Sequence, residues 1–207
     1  MDEPIQSMRC VVCLGNPGKQ YEATRHNAGF LVLERLVRQW NLAPPRTRFR
    51  GLLWTGSHRG RAFMLLAPQT FMNLSGQAVG DLAGFYRIAP ADVLVVLDDM
   101  ALPTGRLRAR IGGSAGGHNG LTDIIRALGT DAVPRLRIGI GRPAGPMDQV
   151  DYVLGRFGPD ERPLIEQATA RAAEAVADWI VNGITYVMDR YNQDSSGADE
   201  SPRNGKG

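Results

Sequence analysis

The run Val93-Leu94-Val95-Val96-Leu97 is apolar without interruption, and it ends on Asp98-Asp99. Side chains on a strand alternate between its two faces. A strand with no polar alternate must be covered on both sides, which is the setting of a central strand in a parallel sheet. The rest of the chain supplies the cover. Ala28 to Trp40, Ser75 to Tyr86 and Pro159 to Asn182 carry apolar residues at helical spacing. A helix from His118-Asn119 to about Leu128 and a short one over Ile184 to Tyr191 complete the set. Met8 to Leu14, Phe49 to Gly56, Arg61 to Ala67, Arg106 to Ile111 and Arg135 to Ile140 read as further strands. This alternation predicts an α/β fold: a single domain with a mixed, mostly parallel twisted sheet flanked by helices.

The chain has 207 residues, 43% of them hydrophobic, enough for one sizeable core. No repeat or boundary divides it, so residues 1–192 are expected to form one catalytic domain. The polar stretch 193–207, with its serines, glycines and proline, is expected to be a disordered tail. The two cysteines, Cys10 and Cys13, stand three apart in the first strand and so point to opposite faces. They are poorly placed for a shared disulfide or metal and are expected to be core. Met1 to Ser7 holds two acids and no apolar leader, and no run approaches the ~18 apolar residues of a membrane span. A cytoplasmic protein without membrane contact is expected. A net charge of +3 permits nucleic-acid binding without demanding it.

In sheets of this kind, sites gather beyond the carboxyl ends of the strands. Gly15–Gly18, Asp98-Asp99 and the glycine-rich segment 112–117 could share one such edge. Of three histidines, His58 reads as part of a hairpin turn, whereas His26 sits in the polar cluster Thr24-Arg25-His26-Asn27 before a helix that Asn27 could cap. An imidazole there suits a general base that takes a proton from water. It needs an acceptor on its other nitrogen, and Asp98 or Asp99 could supply it. No G-x-S-x-G elbow offers a nucleophilic serine. No H-E-x-x-H or comparable cluster marks a metal, and neither a metal nor another cofactor is expected.

The segment Pro68 to Gly76 reads as a loop and helix cap, with Phe71 and Met72 packed inward and Asn73 or Ser75 capping. Asn73 could equally face a substrate, because an amide both donates and accepts. Asn16, Asn27 and Asn119 offer the same chemistry. The segment 112–117 fits neither phosphate-loop pattern and reads as a helix approach or a lid. Arg106, Arg108 and Arg110 share one strand face, and Arg135 and Arg137 alternate similarly. Such stripes either grip phosphates or form a solvated edge.

Taken together, five stretches closely resemble the bacterial-type peptidyl-tRNA hydrolase family. They are Leu14-Gly15-Asn16-Pro17-Gly18, followed by Tyr21 and Thr24 to Phe30; Phe71 to Gly76; Asp98-Asp99 with Leu102-Pro103 and Gly105; Gly116 to Leu121; and Arg135 to Pro143. They occur in the family's order across about residues 8 to 192. The resemblance implies a monomeric, metal-free α/β enzyme that cleaves the ester between a nascent peptide and the 3′ ribose of tRNA. It implies a general base at His26 with Asp98 as its partner. It assigns substrate contacts to Asn16, Tyr21, Met72, Asn73, His118 and Asn119, and tRNA phosphate contacts to Arg110 and Arg137. The chain departs from the family at Ala101, where an acidic residue is common, and at Arg110, where lysine is frequent. Two other readings remain: an inactive relative that binds RNA, and a small peptidase or amidase, which would need a metal or a side-chain nucleophile.

Overall fold

The computed structural model describes residues 8–143 and 145–193; the tail expected from 193 onward lies, but for its first residue, outside them. The elements run β1 (Arg9–Cys13), α1 (Ala28–Gln39), β2 (Arg46–Arg48), β3 (Gly51–His58), β4 (Arg61–Pro68), α2 (Ser75–Tyr86), β5 (Val93–Asp99), β6 (Leu107–Arg110), α3 (Asn119–Leu128), β7 (Arg135–Gly139), α4 (Gln149–Leu154), α5 (Glu161–Asn182) and α6 (Ile184–Tyr191). The strands form one mixed sheet in the order β2-β3-β4-β1-β5-β7-β6. Its centre, β4-β1-β5-β7, is parallel, and β2, β3 and β6 add antiparallel edges.

The apolar run of β5 lies at the middle of this sheet and is buried from Val93 to Asp98. Its alternate side chains feed two cores. Leu94 and Val96 join Val11, Cys13 and Leu65 beneath α1, α5 and α6. Val93, Val95 and Leu97 join Cys10, Val12 and Met64 beneath α2 and α3. Each such side chain contributes roughly 1.5–3 kcal/mol by leaving water. Cys10 and Cys13 thus fall on opposite sides of the sheet as free, buried thiols, and burial pushes the Cys10 thiol up to about 12.

Three local expectations are corrected. Residues 46–48, where no strand is expected, pair with β3 as a short edge strand. Phe49 and Arg50, read as the start of a strand, instead turn the chain with φ of 51° and 52°. The hairpin turn after β3 tightens to Arg59-Gly60, so His58 ends the strand and stacks on Trp40, centroids 5.2 Å apart. Helix α4 had no counterpart in the sequence reading. At six residues it is too short to show a helical period, and it is started by Asp148, whose side chain accepts from Val150 N–H.

Candidate active site

The parallel strands deliver their carboxyl ends to one side of the sheet. β1 leads into Asn16, β4 into Met72, β5 into Asp98 and β7 into Arg142. His26 arrives from a single 3-10 turn, Arg25–Asn27, directly before α1. The approach is close because residue 29 is glycine: a Cβ there would lie 2.5 Å from the Leu14 carbonyl oxygen and 2.6 Å from that of Val96. α1 therefore starts against β1 and β5, and its leading turn reaches the end of β5.

There His26 Nδ1 lies 2.9 Å from Asp98 Oδ1 and 3.1 Å from Oδ2. Of the two candidate acids, Asp98 takes the histidine. Asp99 instead pairs with Arg137. Asp98 is 3% exposed. Burial by itself would raise its carboxyl, but the imidazoles of His118 and His26 outweigh that and hold it well below the usual carboxylate range.

His118 is the second imidazole on this carboxylate, with Nε2 3.1 Å from Asp98 Oδ1. Its other nitrogen caps α3: Nδ1 accepts the Leu121 N–H at 3.3 Å. An accepting Nδ1 carries no proton, so the proton sits on Nε2 and points at Asp98. Both nitrogens of His118 are committed. His26 differs, because Nδ1–H donates to Asp98 and Nε2 is left with its lone pair. The two rings stand 5.0 Å apart. α3 can bring His118 so near because residue 120 is glycine; a Cβ there would lie 2.6 Å from Met72 Sδ.

The asparagines divide by burial. Asn27, read as a helix cap, makes no cap bond. Its buried amide instead accepts Asn16 N–H at 2.8 Å and donates to the Asn16 carbonyl at 3.0 Å. The Asn16 side-chain oxygen in turn accepts Met72 N–H at 2.9 Å, which leaves its NH2 as the end able to meet a carbonyl. Asn73 and Asn119 are exposed. Met72 is buried as read, but Phe71 is 63% exposed and does not pack inward. Neither Asn73 nor Ser75 caps α2. That duty falls to buried Asp123 of α3, which accepts Gly76 N–H at 2.7 Å.

An open cleft of about 590 Å³ runs past this centre. His26, Asp98, His118, Asn119, Arg110 and Arg137 line it, together with the loop 114–117, Arg142 and the α4 residues Gln149, Val150 and Val153. Asn16, Tyr21, Met72 and Asn73 are not among its lining residues. Tyr21 lies half-buried in the turn Lys19–Tyr21. The arginine stripe is split. Arg108 and Arg110 are exposed, Arg137 is paired with Asp99, and Arg135 is 1% exposed. Arg135 is not part of a solvated face; it donates to the carbonyls of Gly113, Ser114, Asp131 and Val133 and so pins the glycine-rich loop to the sheet.

Among the described residues, His26, Asp98 and His118 also form a group whose ligand-type atoms lie within 4.8 Å of one another. Folding thus gathers two of the three histidines. The nitrogens facing Asp98, His26 Nδ1 and His118 Nε2, are at hydrogen-bond distance from it.

The family model for peptidyl-tRNA hydrolase matches residues 10–199. The chain belongs to the peptidyl-tRNA hydrolase family. Relatives within that family include the peptidyl-tRNA hydrolase of Geobacillus kaustophilus, 47% identical over 90% of this chain and all of that protein. The peptidyl-tRNA hydrolase of Symbiobacterium thermophilum is 50% identical over 89% of this chain and 98% of that one. The crystal structure of peptidyl-tRNA hydrolase from Acinetobacter baumannii superposes with a TM-score of 0.85 at 35% identity, covering 92% of this chain and 97% of that one. The single α/β sheet is thus the peptidyl-tRNA hydrolase fold, and the family match runs from within β1 to beyond α6.

Proposed function

We propose that this chain is a peptidyl-tRNA hydrolase that cleaves the ester between a peptide and the 3′ ribose of tRNA, releasing both. Family membership supports the reaction. The observation that carries the mechanism is the 2.9 Å contact between His26 and Asp98 at the edge of an open cleft. Asp98 fixes the His26 tautomer with Nδ1–H inward. Nε2 then takes a proton from water, and the resulting hydroxide attacks the ester carbonyl. The imidazolium that forms is stabilised by the carboxylate beneath it and returns its proton to the departing ribose oxygen. His118 is the less suitable base, since protonating its Nδ1 would break the cap on α3.

The amides of Asn16, Asn73 and Asn119 supply hydrogen bonds to the peptide backbone or to the developing oxyanion. Met72 and Tyr21 shape the surroundings of the acceptor end. Arg110 and Arg137 attract tRNA phosphates, with Arg137 acting as a neutralised pair with Asp99 and Arg110 as a full exposed charge. The reaction uses no metal and no cofactor, and residues 8–143 and 145–192 act as one domain in a monomeric cytoplasmic enzyme, residues 1–7 of the expected domain lying outside the described residues. No described helix is long and apolar enough to cross a membrane.

The intact pairing of His26 with Asp98 disfavours an inactive RNA-binding relative. A peptidase acting on free peptides is disfavoured because neither a serine elbow nor a reactive thiol adjoins the cleft; both cysteines are buried in the sheet. The test is turnover of a peptidyl-tRNA beside the matched free peptide amide. Hydrolysis of the first alone is expected. Cleavage of the free peptide, or of neither, would overturn the reading.

A further inference from the structure

His26 is aimed by a turn of only three residues, Arg25–Asn27. One turn of 3-10 helix has little rigidity of its own. Its direction is set by what holds its two ends. The Asn27 end is tied to Asn16 by two hydrogen bonds. The Arg25 end is tied to a different part of the molecule. Its backbone N–H donates to Gly155 at 3.0 Å, and Thr24 makes an antiparallel bridge to Arg156. The Arg25 guanidinium is sunk at the same place. Nη2 lies 2.7 Å from Glu161 Oε2, and Nη1 lies 3.4 Å from the Tyr152 carbonyl. Its Cζ stands 4.3 Å over the Tyr152 ring and 5.4 Å from the Phe157 ring centroid.

These partners are themselves fixed. The Tyr152 hydroxyl donates to the Ile140 carbonyl at the end of β7, 2.7 Å away. Glu161 Oε2 also accepts Gly158 N–H at 2.7 Å, which fastens the entry to α5. A Cβ on Gly155 would come within 3.0 Å of Arg25 Nη1, so the glycine makes room for the guanidinium. Tyr152 belongs to α4, and the same helix contributes Gln149, Val150 and Val153 to the lining of the cleft. One side chain therefore spans the turn that carries the base and the helix that walls the substrate cleft. The arrangement needs arginine. A planar cation both stacks on the rings and forks to an acid and a carbonyl, whereas lysine supplies only a point charge.

We propose that Arg25 is a positioning residue for the hydrolysis: its guanidinium, seated on Tyr152 and bonded to Glu161, holds His26 in register with Asp98 and joins that turn to the α4 wall of the cleft. This rests on His26 being the base, and the test separates the two ideas. Wild type, Arg25→Ala, Arg25→Lys, Glu161→Gln and the Arg25→Ala/Glu161→Gln double variant are compared in kcat and KM on peptidyl-tRNA. Nitrogen-15 NMR of the histidine rings reports the His26 tautomer in each.

A displacement of the order of 1 Å at a catalytic group costs about 10²-fold in rate. Arg25→Ala should therefore lose about 10- to 100-fold in kcat, more than it changes KM. His26 should become a mixture of tautomers in place of the Nδ1–H form. Arg25→Lys should recover part of both, and the double variant should be no worse than Arg25→Ala. Full kcat with an unchanged His26 ring signal in Arg25→Ala overturns the proposal. So does a loss of rate matched by loss of folded protein with the remaining ring signal unchanged. If Arg25→Ala does not fold, the lysine and Glu161→Gln variants decide by the same ring signal. A wild type without turnover, but with a His26 tautomer that responds to Arg25→Lys, would sink the functional reading and leave the positioning role standing.

Discussion

Replacing Asp98 by asparagine changes one oxygen of a buried carboxylate into an NH2 group and removes its charge. The present carboxylate receives His26 at 2.9 and 3.1 Å and His118 at 3.1 Å. Both imidazoles meet Oδ1, so an asparagine with its oxygen there places its NH2 at the Oδ2 position, 3.1 Å from His26 Nδ1, where a donor faces a donor. His118 cannot readily move its proton, because its Nδ1 is held by Leu121 N–H. The amide nitrogen therefore turns to His26, which must accept at Nδ1 and carry its proton on Nε2. The atom that should draw a proton from water then presents one. The variant also loses the charge beneath the imidazolium. A hydrogen bond to a charged group is worth roughly 1.5–3 kcal/mol, and each 1.4 kcal/mol is about tenfold in rate. With the tautomer penalty added, kcat should fall about 10²- to 10⁴-fold, the upper end being the loss known for the same exchange in the serine protease triad. KM should change little, since Asp98 is buried beneath the histidines. Single-turnover hydrolysis of labelled peptidyl-tRNA by saturating enzyme is the assay. A rate within about threefold of wild type, less than 1 kcal/mol in the barrier, would refute the tautomer argument.

The same carboxyl sets a pH dependence of stability. Its folded value is depressed, so the ionised form stabilises the fold. That contribution is complete above the ordinary carboxylate value of about 3.9 and is lost as pH falls toward the folded value. Asp98→Asn should unfold less steeply in acid than wild type, and parallel acid-unfolding curves would contradict this. Asp123→Ala removes the acceptor for Gly76 N–H at the start of α2. It should cost about 1–2 kcal/mol, which for a domain of this size lowers Tm by roughly 2–8 °C; an unchanged Tm in calorimetry would remove the cap assignment. Arg110→Ala should weaken tRNA binding and make its salt dependence shallower by roughly one. Arg137→Ala should weaken binding more than Arg110→Ala, because it leaves the Asp99 carboxylate unpaired in the cleft. Equal losses in a salt titration would contradict the pairing.

Periodicity made most of the fold legible. The helical spacing in 28–40 and 75–86 and the unbroken run 93–97 each mark their element to within two residues, because burial on one face or two leaves a direct mark in sequence. The contact between His26 and an acid at the end of β5 was partly legible, since His26 stands in a polar cluster and Asp98-Asp99 ends a buried strand, though the residues alone left the two acids open. Side-chain roles that depend on distant contacts were not. Asn27 looks like a cap by its place before a helix, but Asn16, eleven residues back, offers a backbone N–H and carbonyl together. Arg135 looks like part of a solvated stripe until the carbonyls of a loop some twenty residues away close over it. Asp123 sits in the first half of a helix with nothing local to show that it caps another. The centre itself combines both kinds. His118 was singled out, yet its place on Asp98 follows from two glycine-permitted close approaches that no short-range pattern reveals.

The most direct measurement is the single-turnover rate of His26→Asn on peptidyl-tRNA, with tRNA affinity measured on the same protein. A general base contributes about 10²- to 10⁴-fold, so a loss of that size with affinity close to wild type is the expected result. Hydrolysis at nearly the wild-type rate by a folded His26→Asn protein would show that another group activates the water.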